Sequence, residues 1–293
     1  MHTLEIPEIN YKAQYPSCLS EMNRWQYLKF IQLYLLLEAD KITWQEFRIR
    51  LLSYFITIVR TTEILTPEEI ELIHGEIFRI SETLDSFCIT KTEQNKEHLE
   101  LDLSNTRNLL PKVGKLHGPA DALTDLSFFE YIEAHHAFLA CSADATGSIP
   151  VENIDRLIAI LYRPKRRFLF FKKLSPLWNG QSREKYNEHT VEGRMLKVSR
   201  LPLEVKIGIL IWYRACEEFL QTGVIGIGLS QIDFSLLYQE TDKAEQNDTG
   251  LIGVLYTLAE SGVFGSVKQT AESNLYDVIV RIYQLLRTLK TTE

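Results

Sequence analysis

Between Pro202 and Gly223, apolar side chains return at every third or fourth position: Val205, Ile209, Trp212, Cys216 and Phe219. Only an α-helix gathers that spacing onto one face. Proline suits the start of a helix and glycine the position just past its end, so the spacing predicts a helix over 201–221. The same pattern recurs along the chain. Leu28, Ile31, Leu35 and Leu36 predict a helix over 23–39. Thr43 with Glu46 three residues on is a capping box; it opens a second helix that carries Phe47, Leu51, Tyr54, Phe55 and Ile58 inward. Thr66-Pro67-Glu68-Glu69 places an N-cap, a proline and two acids where a helix start favours them. Ile70, Ile73, Ile77, Ile80 and Leu84 follow as its stripe. Three such helices with short connections predict a bundle.

Over 86–118 the period shifts. Ile89-Thr90, a polar KTEQNKE stretch and the alternating run Leu99-Glu100-Leu101-Asp102-Leu103 predict two short strands joined by a polar loop. Residues 105–118 read as a connection, placing a domain boundary near 115, with domains 1–115 and 116–293. Helical spacing then resumes over 126–141, with Phe129, Ile132, His136 and Leu139 on one face. Another helix opens at Ser148, carries Pro150, Glu152 and Asp155 early, and buries Ile154, Leu157, Ile158 and Leu161. It ends at Arg163, because the residue before a proline is steered out of the helical region. Residues 174–200 and 239–250 are polar enough for long loops, and GVIGIGLSQ at 223–231 reads as loop. Helices over 251–261 and 275–289 follow, the last with Ser273 as its cap. The expected fold is mainly α: an N-terminal helical bundle and a C-terminal helical domain, with a small β or irregular segment between them.

Of the 293 residues 45% are hydrophobic, which gives enough apolar surface for a sizeable core. The net charge of −7 argues against a general nucleic-acid-binding domain. Cys18, Cys88, Cys141 and Cys216 are scattered, with neither C-x-x-C nor zinc spacing, and read as small hydrophobes in a reduced, cytoplasmic setting. The N-terminus lacks the basic segment and apolar core of a signal peptide. The longest clean apolar run, 207–213, is far short of the roughly 20 residues of a membrane span. No membrane association is expected.

Arg163, Lys165, Arg166, Arg167, Lys172 and Lys173 fall within eleven residues that contain no acid, inverting the sign of the rest of the chain. Phe168, Phe170 and Phe171 interleave with them. Arg163, Lys165, Arg166, Arg167, Phe170, Lys172 and Lys173, with Trp178 in the polar stretch beyond, are the candidate partner-binding residues. The segment suits docking of an acidic protein. It also suits phosphate contact with base stacking. The plainest reading is a solvated helix end, with Arg163 favouring the negative terminus and the phenylalanines packed inward. Trp25, Trp44 and Trp212 read as core anchors.

Two Glu-x-x-His pairs, Glu71 with His74 and Glu133 with His136, have the spacing by which di-iron helical bundles bring ligands to one metal. Such a site needs two further glutamates; Glu38 or Glu46 and Glu100 or Glu218 are available, and nothing selects among them. Chance alone produces such pairs in a chain this rich in glutamate, so a di-metal oxidase stands as an alternative and no cofactor is expected. No Walker sequence, nucleophile elbow or dinucleotide fingerprint is present.

Several phrases, in order along most of the chain, resemble proteins encoded in bacterial prophages and tailed-phage gene clusters, some of them tail-assembly-chaperone-like. They are YPSCLSEMNRWQYLKFIQLYLLLEADKITWQEF, LLPKVGKLHGPADALTDLSFFEYIEA, IDRLIAILYRPKRR, LPLEVKIGILIWYRACEEFL and LYTLAESGVFG. These are helix, turn and core patterns, and no functional residue transfers with them. The resemblance implies a non-enzymatic, protein-binding helper or minor structural component of a phage-like particle. A nucleic-acid-contacting packaging or regulatory factor is the further alternative.

Overall fold

The computed structural model describes residues 1–6, 11–56, 66–93, 96–142, 150–166, 182–227, 230–233 and 250–290. Its fold is mainly α, with ten α-helices and four small antiparallel sheets among these residues. The chain divides into two units, Met1–Asn105 and Thr106–Glu293.

The first unit opens with a hairpin of β1 (His2–Ile6) and β2 (Tyr11–Tyr15), registered His2 to Tyr15. Helices α1 (Arg24–Glu38), α2 (Trp44–Phe55) and α3 (Pro67–Ser81) follow. All three begin in capping boxes, built by Asn23 with Gln26, Thr43 with Glu46 and Thr66 with Glu69, which satisfy the backbone donors a helix start leaves open. The core gathers around Phe30, which meets Phe47 edge-on at 5.6 Å and Phe87 at 6.0 Å. Aromatic pairs favour such offset geometry. Arg48 is buried and grips Asp85 with two bonds of 2.9 and 2.7 Å, while the Trp44 indole donates to the same carboxylate. Tyr54 departs from expectation: it is exposed, and Leu52 takes the inward place. Ile58 lies outside the described residues. Trp25 is also exposed, with the Arg24 guanidinium over its ring, and anchors no core. Strands β3 (Cys88–Glu93) and β4 (Lys96–Leu101) form the expected hairpin.

The second unit begins at Thr106, ahead of residue 115, because the Thr106 carbonyl accepts from the buried Trp212 indole at 2.8 Å. Strands β5 (Lys112–Val113) and β6 (Leu116–His117) pair with each other, and β6 pairs with β7 (Arg163–Pro164). Helices α4 (Phe128–Leu139) and α5 (Val151–Leu161) pack together, α5 being buried along most of its length. Pro150 is the N-cap of α5; Ser148 lies outside the described residues. Within the stretch expected to be loop stands a short helix, α6 (Val191–Val198). The long helix α7 (Leu203–Thr222) follows, as expected. The segment after it is no simple loop: β8 (Val224–Ile227) and β9 (Ser230–Asp233) pair as a hairpin. Helices α8 (Gly250–Glu260), α9 (Val267–Glu272) and α10 (Leu275–Lys290) close the chain. The Tyr276 amide is taken by the side chain of Asn274, which performs the capping role expected of Ser273. Among the described residues no helix is long and apolar enough to cross a membrane.

Candidate functional site

The basic segment begins at the C-terminus of α5, where the last carbonyls of a helix have no intrahelical partner. Three arginines take three consecutive carbonyls there. Arg194 Nε donates to Ala159 O at 2.7 Å, Arg163 Nη1 to Ile160 O at 3.0 Å, and Arg183 Nη1 to Leu161 O at 2.7 Å. The negative end of the helix dipole favours all three cations. A short ladder brings Arg163 and Arg183 together. Residues 163–166 run beside 182–184, with the Arg166 amide on Ser182 O, the Glu184 amide on Pro164 O, and Lys165 bridged to Arg183.

Arg163 is therefore not a surface contact. It is 1% exposed, and this corrects its assignment to the partner-binding set. Its guanidinium holds both carboxylate oxygens of Glu130, at 2.5 and 2.9 Å, and its Nε donates to Glu184 O. Arg183 donates to the same Glu130 at 2.8 Å and to Asp125 at 3.0 Å. Glu130 stands in the first turn of α4, after the Ser127 cap, and is fully buried. Burial works to raise its pKa, but the charges and hydrogen bonds of Arg183 and Arg163 override that and hold it below the ordinary carboxylate range. Burial likewise opposes the charged form of Arg183, and Glu130 and Asp125 reverse the shift.

Of the other candidates, Lys165 is exposed and Arg166 half-buried. Arg167, Phe170, Lys172, Lys173 and Trp178 lie outside the described residues. Beside the cluster opens a cleft of about 550 Å³, with Phe129, Arg166, Lys185, Tyr186 and Lys268 in its wall. Sequence reasoning missed Glu130, Arg183 and Arg194. The available signal for Glu130 was an acid set directly between aromatic residues, Phe128-Phe129 and Tyr131, at the start of α4.

Neither Glu-x-x-His pair sits in a buried pocket of its own unit. Glu71 and His74 are exposed on α3; Glu133 is half-buried and His136 exposed on α4. The inward face of α4 is Phe128, Tyr131 and Ile132, so His136 and Leu139 do not share the buried face expected of them. No group of three or more histidine, cysteine or acidic side chains placed to hold a metal occurs among the described residues. The neighbouring His135 instead meets the buried Glu217 of α7 at 3.2 Å, and Tyr131 and Tyr213 donate to that carboxylate at 3.0 and 2.6 Å. These hydroxyls satisfy a buried charge. Burial, then Glu217, raises the Tyr213 phenol well above its ordinary pKa.

In the first unit, α3 is amphipathic, yet Ser81 is its sole fully buried residue. Ile70 and Ile73 are each 41% exposed, Leu72 69% and Phe78 37%. Glu68, Glu69, Glu71 and Glu76 flank them, all exposed. No protein-family model, curated protein or solved structure gives a significant match to the chain.

Proposed function

We propose that this chain is a non-enzymatic, protein-binding helper or minor structural component in the assembly of a phage-like particle, working in the cytoplasm. One observation carries the reading: the N-terminal half of the apolar row of α3, Ile70 and Ile73, is exposed together with Leu72, while Ile77 and Ile80 are half-buried. A surface helix of a monomer normally turns such a row inward, and contiguous exposed apolar surface marks a place where another protein sits. Laying an amphipathic helix against a partner groove needs apolar anchors at helical spacing and no acid–base machinery, and the exposed Ile70 and Ile73, with half-buried Ile77 one turn on, have that spacing. The flanking acids favour a client with basic residues around an apolar stripe. The resemblance to tail-assembly-chaperone-like proteins supports the same class of role.

The test is co-expression with the proteins of neighbouring genes, followed by size-exclusion chromatography. One of them should co-elute with the chain, and Ile70→Asp with Ile73→Asp should abolish co-elution while leaving the circular dichroism spectrum unchanged. Co-elution that survives both substitutions, or the absence of any such client, would count against the reading.

A further inference from the structure

Strands β5, β6 and β7 come from two stretches that hold no acid: none occurs between Asp102 and Asp121, or between Asp155 and Glu184. The sheet register sets their cations side by side. Lys112 lies opposite His117, and His117 lies opposite Arg163, two residues before Lys165. Directly paired residues of antiparallel strands share a face with Cβ atoms about 4.5–5.5 Å apart, and diagonal neighbours stand about 7–8 Å apart. His117 is therefore flanked by Lys112 on one side and Lys165 on the other. Lys115 stands with Gly114 in the turn that joins β5 to β6. All three lysines are exposed and His117 is half-buried. Lys115 and Lys165 have no ion-pair partner among the described residues. Burial, then Lys112 and Lys165, lowers the His117 pKa.

The acids of the neighbouring segments are occupied or turned away. Glu130 is held by Arg163 and Arg183, and Asp125 by Arg183 and the Ala120 amide. Asp121 accepts from the Asn108 amide. Glu184, whose amide donates to Pro164 O, follows Arg183, the residue bridged to Lys165. Alternation along the strand turns it to the other face. Like charges gathered in this way repel one another, and a negative partner relieves the repulsion while orienting the encounter. Lysine ammoniums are compact point charges, without the fork by which arginine captures a single phosphate, and suit carboxylates spread along a chain. Strands stand about 4.8 Å apart, so the patch spans about 10 Å, the reach of about three extended residues. A nucleic-acid duplex carries its charge far beyond that span, across a chain whose net charge is −7. A short acidic segment ends where the patch ends. We propose that the sheet of β5, β6 and β7, with Lys165 just past it, docks an acidic segment of a partner protein, its carboxylates meeting Lys112, Lys115 and Lys165 beside His117. This surface is independent of the apolar row of α3 and opposite to it in charge.

The test is the fluorescence anisotropy of a labelled hexaglutamate peptide titrated with the full chain at low ionic strength, alongside a labelled DNA duplex. The peptide should bind, and physiological salt should weaken it, because the contacts are exposed. Lys112→Ala with Lys165→Ala removes two exposed charge pairs and should weaken binding about tenfold, with the circular dichroism spectrum unchanged. The His117 ring resonances, assigned by their loss in His117→Gln, give an independent reading. Adding the peptide should raise the His117 pKa, because carboxylates offset the two ammoniums. The double substitution should raise it in the free protein, because the ammoniums are gone. Absence of peptide binding, affinity untouched by the double substitution, or a His117 pKa that stays put in that variant would overturn the proposal. So would a DNA duplex that binds more tightly than the peptide and is lost in the same variant, which would make nucleic acid the partner.

Discussion

Glu130→Gln isolates the charge at the centre of the arginine cluster. The amide keeps the size of the side chain but removes the carboxylate that takes three bonds from Arg163 and Arg183, two guanidinia that are essentially unexposed. Arg163 would then face no carboxylate among the described residues, and Arg183 only Asp125 at 3.0 Å. Removing one partner of a buried pair costs about 3–5 kcal/mol, and the retained Asp125 places the expectation near the lower end, about 3 kcal/mol. For a unit the size of Thr106–Glu293, each kcal/mol moves the midpoint by about 2–4 °C, so a fall of about 6–12 °C is expected. Urea and thermal unfolding should be followed by the fluorescence of buried Trp212, in a chain whose other three tryptophans are phenylalanine. The pH dependence gives an independent check. The Glu130 carboxyl is held below its ordinary pKa of 4.5, so its contribution is complete above that value and is lost as pH falls through the folded-state pKa. The gap between wild type and Glu130→Gln should be full at neutral pH and should close below 4.5. A variant within about 1 kcal/mol of wild type at pH 7, the range of exposed pairs, would refute the reasoning, as would a gap that ignores acid.

Other substitutions probe single contacts. A Cβ at Gly118 would lie 2.6 Å from the ring of the fully buried Tyr162, so Gly118→Ala should cost about 1–3 kcal/mol in urea unfolding through overpacking. Thr66→Ala removes the oxygen that accepts the Glu69 amide and should cost about 1 kcal/mol, with faster hydrogen exchange in the first turn of α3. Burial, then Glu217, raises the Cys216 thiol's pKa, and burial pushes Cys141 up to about 11. Alkylation of the native protein at pH 8 should therefore reach half-buried Cys18 first and spare Cys216 until the chain unfolds.

The helices were legible because their signals are local. The Thr43 and Thr66 boxes, and the alternation at Leu99–Leu103, depend on residues a few positions apart, and each reports the element it begins. The hairpin of β8 and β9 was hidden because its glycines mimic a loop, and strand pairing depends on a partner outside the local window. The arginine cluster was hidden for a related reason. Nothing near Arg163 in sequence reveals that Glu130 comes from α4 to meet it, so a charge destined for the interior looked like its exposed neighbour Lys165. On α3 the stripe is covered only towards its end: Leu84 is buried and Ile77 and Ile80 half-buried, but Ile70 and Ile73 stay exposed.

One acid serving two bases has an evolutionary consequence. Positions 130, 163 and 183 cannot drift independently, because losing the acid leaves the Arg163 guanidinium with no carboxylate among the described residues, and losing either base removes part of the charge that offsets a carboxylate water does not reach. Related chains should therefore carry either the whole charged trio or a wholly apolar replacement. Sequences mixing the two should be rare, and correlated change among these positions should be visible even where the rest of α4 and α5 has diverged.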